Sequence, residues 1–354
     1  MKKTFLSILM VISVLCSCEK SDCGKCGEDD SESSGKWSTL DVDLEFGSGQ
    51  TKSVTSFVDS QQYEKQVNRV QILVFDADGR LNAYRDNGSA TSASISVSYG
   101  AKKVWAVVNG PDLSGIASES ALQAKALTLS DNSTTASKGF VMAGFAPCTV
   151  SSGTATVAIS VSRLVSRIAL QKITNRLPSA YGQVTIDRVI LTNVVGNQNI
   201  GGNAAATIWH NLGGRKDGAS SSDQIIDGTT NHAAFPTLTF KSVGSQLTNG
   251  GSLTPATPYL FYCYPNGTRS ESTGYAPSMG ERKTRLVVVA TVAGVRYYYP
   301  VTIDLPERNR TYTVELTIAG LGSTDPERPV IKGSISASIS VQGWIAGASY
   351  EEII

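Results

Sequence analysis

The clearest pattern in the chain is an alternation near its beginning. Leu40, Val42, Leu44 and Phe46 alternate with Asp41, Asp43 and Glu45, the period of a strand with one buried face. Downstream, Arg69–Phe75 (RVQILVF) and Lys103–Asn109 (KVWAVVN) are nearly continuous apolar runs of buried-strand type. The segments Ile95–Tyr99 and Ala155–Val161 add further strands, with a short one at Phe140–Met142. Asp76-Ala77-Asp78-Gly79 lacks the remaining spacing and the distal glutamate of a calcium-binding loop, so it predicts a hairpin turn. Ser118–Leu127 (SESALQAKAL) predicts the one short helix, with Ser118 as its cap.

A second block begins near Arg163. Arg163–Ile173 (RLVSRIALQKI) carries apolar residues at spacings that fit either a helix or a strand. Strand patterns follow at Tyr181–Asn193, Tyr259–Tyr264, Arg285–Val292, Arg296–Ile303, Tyr312–Ile318 and Ile335–Val341. Residues 196–235 are rich in Gly, Ser and Asn and have no period, which predicts a large loop. Many short strands with turn signals and scarcely any helix predict an all-β protein. The expected architecture is two tandem β-sandwiches of transthyretin-like or Greek-key type. The first spans 40–162 and the second 163–354.

Composition narrows the function. Of 354 residues, 41% are hydrophobic and 17% charged, and the formal net charge is +1; no basic field would draw nucleic acid. Lys2 and Lys3 precede an apolar run from Phe5 to Leu15 that is too short to span a bilayer and reads as an export signal. It ends in Leu15-Cys16-Ser17-Cys18, which resembles a bacterial lipobox. Residues 1–17 are then the signal peptide, and Cys18 is the acceptor of a diacylglycerol and an acyl chain such as palmitate, which would hold the protein on the outer membrane. Residues 18–39 form an acidic tether. The lone Cys23–Cys26 pair reads as a local disulfide or as free thiols, and Cys148 and Cys263 read as buried small hydrophobes.

Catalytic chemistry is not evident. His210 and His232 lie 22 positions apart in the polar loop, which fits no metal motif, and they read as surface residues. No G-x-S-x-G elbow and no phosphate-binding glycine loop is placed on a strand–helix unit. Tyr297-Tyr298-Tyr299 reads as sheet packing, because neighbouring residues on a strand face opposite sides. The chain reads as a non-enzyme without a resident cofactor or metal.

An ordered set of segments resembles the type V pilus fimbrillins, the major and minor fimbrial subunits of Bacteroidales. It runs from the lipobox through LDVDLEF, VNRVQILVFDADG, KKVWAVVNG, LQAKALT, GFVMAGF and SRLVSRIALQKI. It ends with YYYPVTIDLPERNRTYTVELTIAGLGSTDPERP and SISASISVQGWIAGASYEE. The resemblance implies a cell-surface subunit that travels as a lipoprotein. A protease cuts the loop after the first strand, and the released strand leaves a groove for the C-terminal strand of another subunit. Mapped here, the removable strand carries Leu40, Val42, Leu44 and Phe46, and removal ends at Lys52, the one basic residue of the following loop. The donor is about 339–354, with Ile339, Val341, Trp344 and Ile345. The implied partners are copies of the chain, other fimbrial subunits and an adhesion ligand. The family's shaft subunits are cut after arginine, whereas the first arginine here is Arg69. An uncut, lipid-anchored anchor subunit is therefore the alternative. From a different class, the alternative is a surface lipoprotein that binds glycan through 196–235.

Overall fold

The first strand, β1 (Trp37–Glu45), is the middle of a three-stranded sheet. The computed structural model describes residues 36–46, 61–211, 214–215, 236–269, 282–324, 335–344 and 352–353. On one side β1 pairs antiparallel with β4 (Ser92–Ser98), and on the other it pairs parallel with β8 (Ala155–Ser160). Opposite this sheet lies a five-stranded one, with β2 (Val70–Asp76), β3 (Leu81–Asp86), β5 (Gly100–Val108), β7 (Met142–Val150) and β9 (Ser162–Arg163) in the order β3-β2-β5-β7-β9. The two sheets close over a core in which Leu40 and Val42 meet Ile72, Val74, Val104, Ile95 and Ile159.

The apolar runs have a simple cause. In β2, Ile72 and Val74 face that core, while Leu73 and Phe75 face a second core behind the sheet. In β5, Val104 and Ala106 face the first core, and Trp105 and Val107 the second. A strand covered on both faces needs no polar side. Part of the cover comes from α1 (Glu119–Ala124), where Ser118 accepts a hydrogen bond from the Ala121 amide as the predicted cap. The Asp76–Gly79 segment is the predicted turn between β2 and β3, with Gly79 at φ +82°.

Beyond residue 163 the ambiguous segment is a strand. β10 (Ser166–Asn175) runs parallel to β21 (Arg310–Ile318) and antiparallel to β17 (Ser252–Leu253) and β18 (Tyr259–Cys263). β21 also pairs with β22 (Ile335–Gly343), which carries the two-residue β23 (Glu352–Ile353) on its far side. The facing sheet has the order β16-β11-β19-β20, with β11 (Val184–Thr192), β16 (Phe240–Leu247), β19 (Arg285–Val292) and β20 (Val295–Thr302). A one-turn helix, α2 (Pro236–Thr239), precedes β16. The architecture is all-β, as the strand patterns predict. Leu73 and Phe75 share one continuous buried cluster with Ile168, Tyr262 and Val314, so a single core spans residue 163. Short strands stitch the same region: β6 (Ala126–Thr128) pairs with β13 (Asn197–Asn199). β12 (Val194–Val195), β14 (Trp209–Asn211) and β15 (Gly214–Arg215) form a small sheet.

Three expectations change. The described part of 196–235 carries strands at 197–199, 209–211 and 214–215, with an irregular stretch at 200–208, rather than one loop throughout. His210 is buried on β14, against Gly196, where an added Cβ would stand 2.5 Å from the imidazole Nε2; a polar segment had hidden a packing position. His232 lies outside the described residues. Cys263 is buried, but Cys148 is only half-buried on a strand whose other side is wet. Tyr299 is fully buried and Tyr298 packs on the opposite face against Ile190, Val287 and Val289, which is the sheet packing the alternation requires.

Candidate functional site

The site with functional geometry is the position of β1. Leu40 lies opposite Ile95 and Ala155, and Val42 opposite Ala93 and Val157. Both are buried to within 1%. Leu44 is partly buried against the same core, opposite Ile159. The strand begins at Trp37, three residues earlier than its pattern suggests, and ends at Glu45. Phe46 lies just past that end and is 38% exposed. The inward set is thus Leu40, Val42 and Leu44, and Phe46 drops out of it because the strand stops before the alternation does.

The outer face of β1 is acidic and flanked by hydroxyls. Asp41 accepts a hydrogen bond from Ser94 Oγ at 2.5 Å, and Asp43 lies opposite Ser92. Backbone bonds close both ends. Tyr99 N donates to Lys36 O, Leu44 N to Thr91 O and Val161 N to Glu45 O, all at 2.8–3.0 Å. Among the described residues β4 and β8 do not pair with each other; β1 alone joins them. Taking β1 away leaves a slot with a free hydrogen-bonding edge on each wall, which an extended chain can fill. Burying Leu40 and Val42 is worth about 3–6 kcal/mol in apolar transfer before ordering costs.

Each wall has a brace. At the β4 wall, Lys102 Nζ reaches Asp76 Oδ1 at 2.5 Å and also Ser98 Oγ and Tyr99 O, while Asn82 bridges Asp76 to Ser98. Burial pushes the Asp76 carboxyl up, but Lys102 and Asn82 outweigh it and hold it below the usual carboxylate range. At the β8 wall, Gly144 of β7 comes so close that an added Cβ would stand 2.1 Å from Ser160 O. Only glycine permits that approach.

The C-terminal residues are placed differently. Ile339 and Val341 lie on β22, opposite Val314 and Tyr312 of β21, and are half-buried. Trp344 is 1% exposed. Its amide donates to Asn309 O at 2.7 Å. Asn309 adopts φ +56° in the Glu307-Arg308-Asn309 turn, a conformation that asparagine tolerates better than most residues. All three described donor residues are therefore engaged in their own chain. Ile345, Lys52 and Cys18 lie outside the described residues.

A cleft of about 330 Å³ lies by β13 and β14, lined by Gln198, Trp209, Pro265 and Thr268 among others. Trp209 is only 3% exposed, so its ring face is not offered for stacking on a sugar. Among the described residues no three His, Cys, Asp or Glu side chains could hold a metal, and no helix is long and apolar enough to cross a membrane.

The fold and site define a class: β-sandwich proteins whose first strand is the middle strand of its sheet and joins two strands that do not pair with each other among the described residues. Comparison with known proteins finds a family match for part of the chain. Residues 38–160, which hold the whole slot, match the model of the family described as major fimbrial subunit protein (FimA). A candidate cell adhesion protein from Bacteroides eggerthii is 21% identical, with a TM-score of 0.60 over 88% of this chain and 97% of its own. Another, from Parabacteroides distasonis, is 17% identical, with a TM-score of 0.61 over 89% and 99%. A fimbrilin from Porphyromonas gingivalis is 15% identical, with a TM-score of 0.58 over 88% and 99%. No curated protein matches by sequence. The resemblance to fimbrillins is thus met by a family match over the first sandwich and by likeness of fold over nearly the whole chain.

Proposed function

We propose that this protein is a structural subunit of a cell-surface fimbria that polymerises by strand replacement. The observation that carries the reading is β1, a strand hydrogen-bonded on both sides between walls that share no pairing of their own. A cut after Lys52 frees β1 and opens the slot. The C-terminal segment of another copy, or of another fimbrial subunit, then enters it. Before the cut the chain is a lipoprotein carrying acyl lipid on Cys18, which delivers it to the outer membrane. The family match over 38–160 supports the subunit role.

The test is brief trypsin treatment of the purified precursor. We expect loss of residues up to Lys52, a new N-terminus at Ser53, and SDS-resistant ladders; persistent monomer after cleavage would overturn the reading.

A second reading, an uncut anchor subunit that keeps its lipid and its first strand, is favoured by Arg69. That first arginine is held by Asp86 and Asp112, each at 2.8 Å, immediately before β2, where a cut would enter the core sheet. Mature protein that begins at acylated Cys18 would decide for the anchor.

A further inference from the structure

A buried ionic cluster joins two segments that the exchange reading treats separately. Glu64 is fully buried at the end of a short turn that follows residues 47–60. Its carboxylate accepts three hydrogen bonds. Oε1 accepts from Tyr262 OH at 2.6 Å, and Oε2 accepts from Arg167 Nη1 at 2.9 Å and from the Gln61 amide at 2.6 Å. Arg163 donates through Nε and Nη2 to the Glu64 carbonyl, at 3.0 and 2.6 Å.

Arg163 and Arg167 converge on Glu64, and Trp344 covers both guanidiniums. The Arg163 guanidinium lies 4.5 Å and that of Arg167 5.0 Å from its ring centroid, so the ring's negative face offsets both. Tyr262 stacks on the same indole at 5.6 Å, and Phe140 meets it edge-on at 5.9 Å. The backbone of Trp344 is held too: its amide donates to Asn309 O, and its carbonyl accepts from Arg163 Nη1 at 3.3 Å. Side chain, amide and carbonyl are all fixed at the residue where β22 ends.

We propose that Glu64, Arg163, Arg167 and Tyr262 form a socket for Trp344, and that this clasp sets where the chain leaves the subunit to reach a second copy. This rests on the exchange reading and sharpens it. The partner-binding segment is 345–354, and β22 stays at home. Donating from Ile339 onward would instead break the β21–β22 register from Ile339 to Gly343 and empty the socket. Glu64 lies on the retained side of a cut at Lys52, so processing leaves the clasp whole. Arg163, Arg167 and Glu64 are positioning residues, since none would touch the partner strand.

Two readouts test this, hydrogen exchange on the uncut precursor and ladder formation after trypsin. Trp344→Ala should speed exchange across 335–343 by about tenfold and cut ladder yield, with β1 and β4 unchanged. Trp344→Phe should restore part of both. Arg163→Lys keeps the charge but loses the planar stack, and should move both in the same direction by less; it serves if the alanine variant does not fold. Truncation after Trp344 should abolish ladders and leave exchange in 335–339 as in the full chain, since only Ser340 and Val341 lose their β23 partners. Unchanged exchange in Trp344→Ala, or ladders from the truncated chain, would overturn the clasp. If the full-length precursor forms no ladders while the exchange results hold, strand replacement fails and the clasp stands as the fixed root of the C-terminal segment.

Discussion

Strands β1 and β22 are both nine residues long, and both alternate apolar with polar side chains. Their surroundings differ. β1 is hydrogen-bonded along both edges, and two of its side chains are among the most buried in the first sandwich. β22 is paired along its length on one edge only, with two residues of β23 on the other, and its side chains are half-buried at best. Removing β1 opens a two-walled slot in a core. Removing β22 would only shift an edge from one strand to the next. An alternating pattern therefore marks a strand but does not say how much depends on it; the number of hydrogen-bonded neighbours does.

The same substitution in both strands should break the symmetry most visibly. Leu40→Asp places an uncompensated carboxylate in a closed core and should cost about 4 kcal/mol or more. The first sandwich should unfold or lose its protection from exchange, unless the aspartate drives β1 out and the slot finds a substitute strand, in which case oligomers appear without protease. Ile339→Asp puts the carboxylate at a half-buried edge that water reaches, and about 1–2 kcal/mol is expected. Urea unfolding of the two variants checks the order. Equal losses would show that the edge strand is as deeply committed as the central one.

Much of this contrast was legible before the fold. The acid–apolar alternation from Leu40 to Glu45 gave β1 its inward face, and the runs in β2 and β5 marked strands without a wet side. Legibility failed where a residue's environment is set from far away. Glu64 lies in the polar stretch SQQYEKQ, and nothing local marks it as buried. Its partners Arg167 and Tyr262 are 103 and 198 positions along the chain. Trp344 continues a plausible donor pattern, and its burial depends on two arginines from the ambiguous segment RLVSRIAL. His210 was read from the polarity of its neighbours, whereas a glycine fourteen positions earlier makes room for it. Phe46 shows the smaller error of carrying a period one residue past the last hydrogen bond.

The smallest effect sharpens the comparison through charge. Between Ile335 and Gly343 there is no ionisable side chain, so β22 itself carries no acid-sensitive group, although Glu315 of β21 lies opposite Ser338. The β4 wall does carry one. Asp76 is held below the usual carboxylate range in the folded protein because Lys102 and Asn82 outweigh its desolvation. A depressed folded pKa means that the unfolded chain takes up the proton first. Its contribution to stability is therefore present above an unfolded value of about 3.9 and is lost as the pH falls through the lower folded one. Asp76 is partly exposed, so water screens the pair and the contribution is modest. Acidification below about pH 4 should loosen 92–102 before it touches 335–343, as measured by hydrogen exchange at stepped pH. The double variant Asp76→Asn/Lys102→Met should flatten that acid response without abolishing it. Asp86 beside Arg69 is also held low, as is Glu119, where Lys103 and Trp105 outweigh burial. An unchanged acid response would remove Asp76 from the wall. A response that begins in β22 would reverse the order of the two strands and point to carboxylates outside β22, such as Glu64 beneath Trp344.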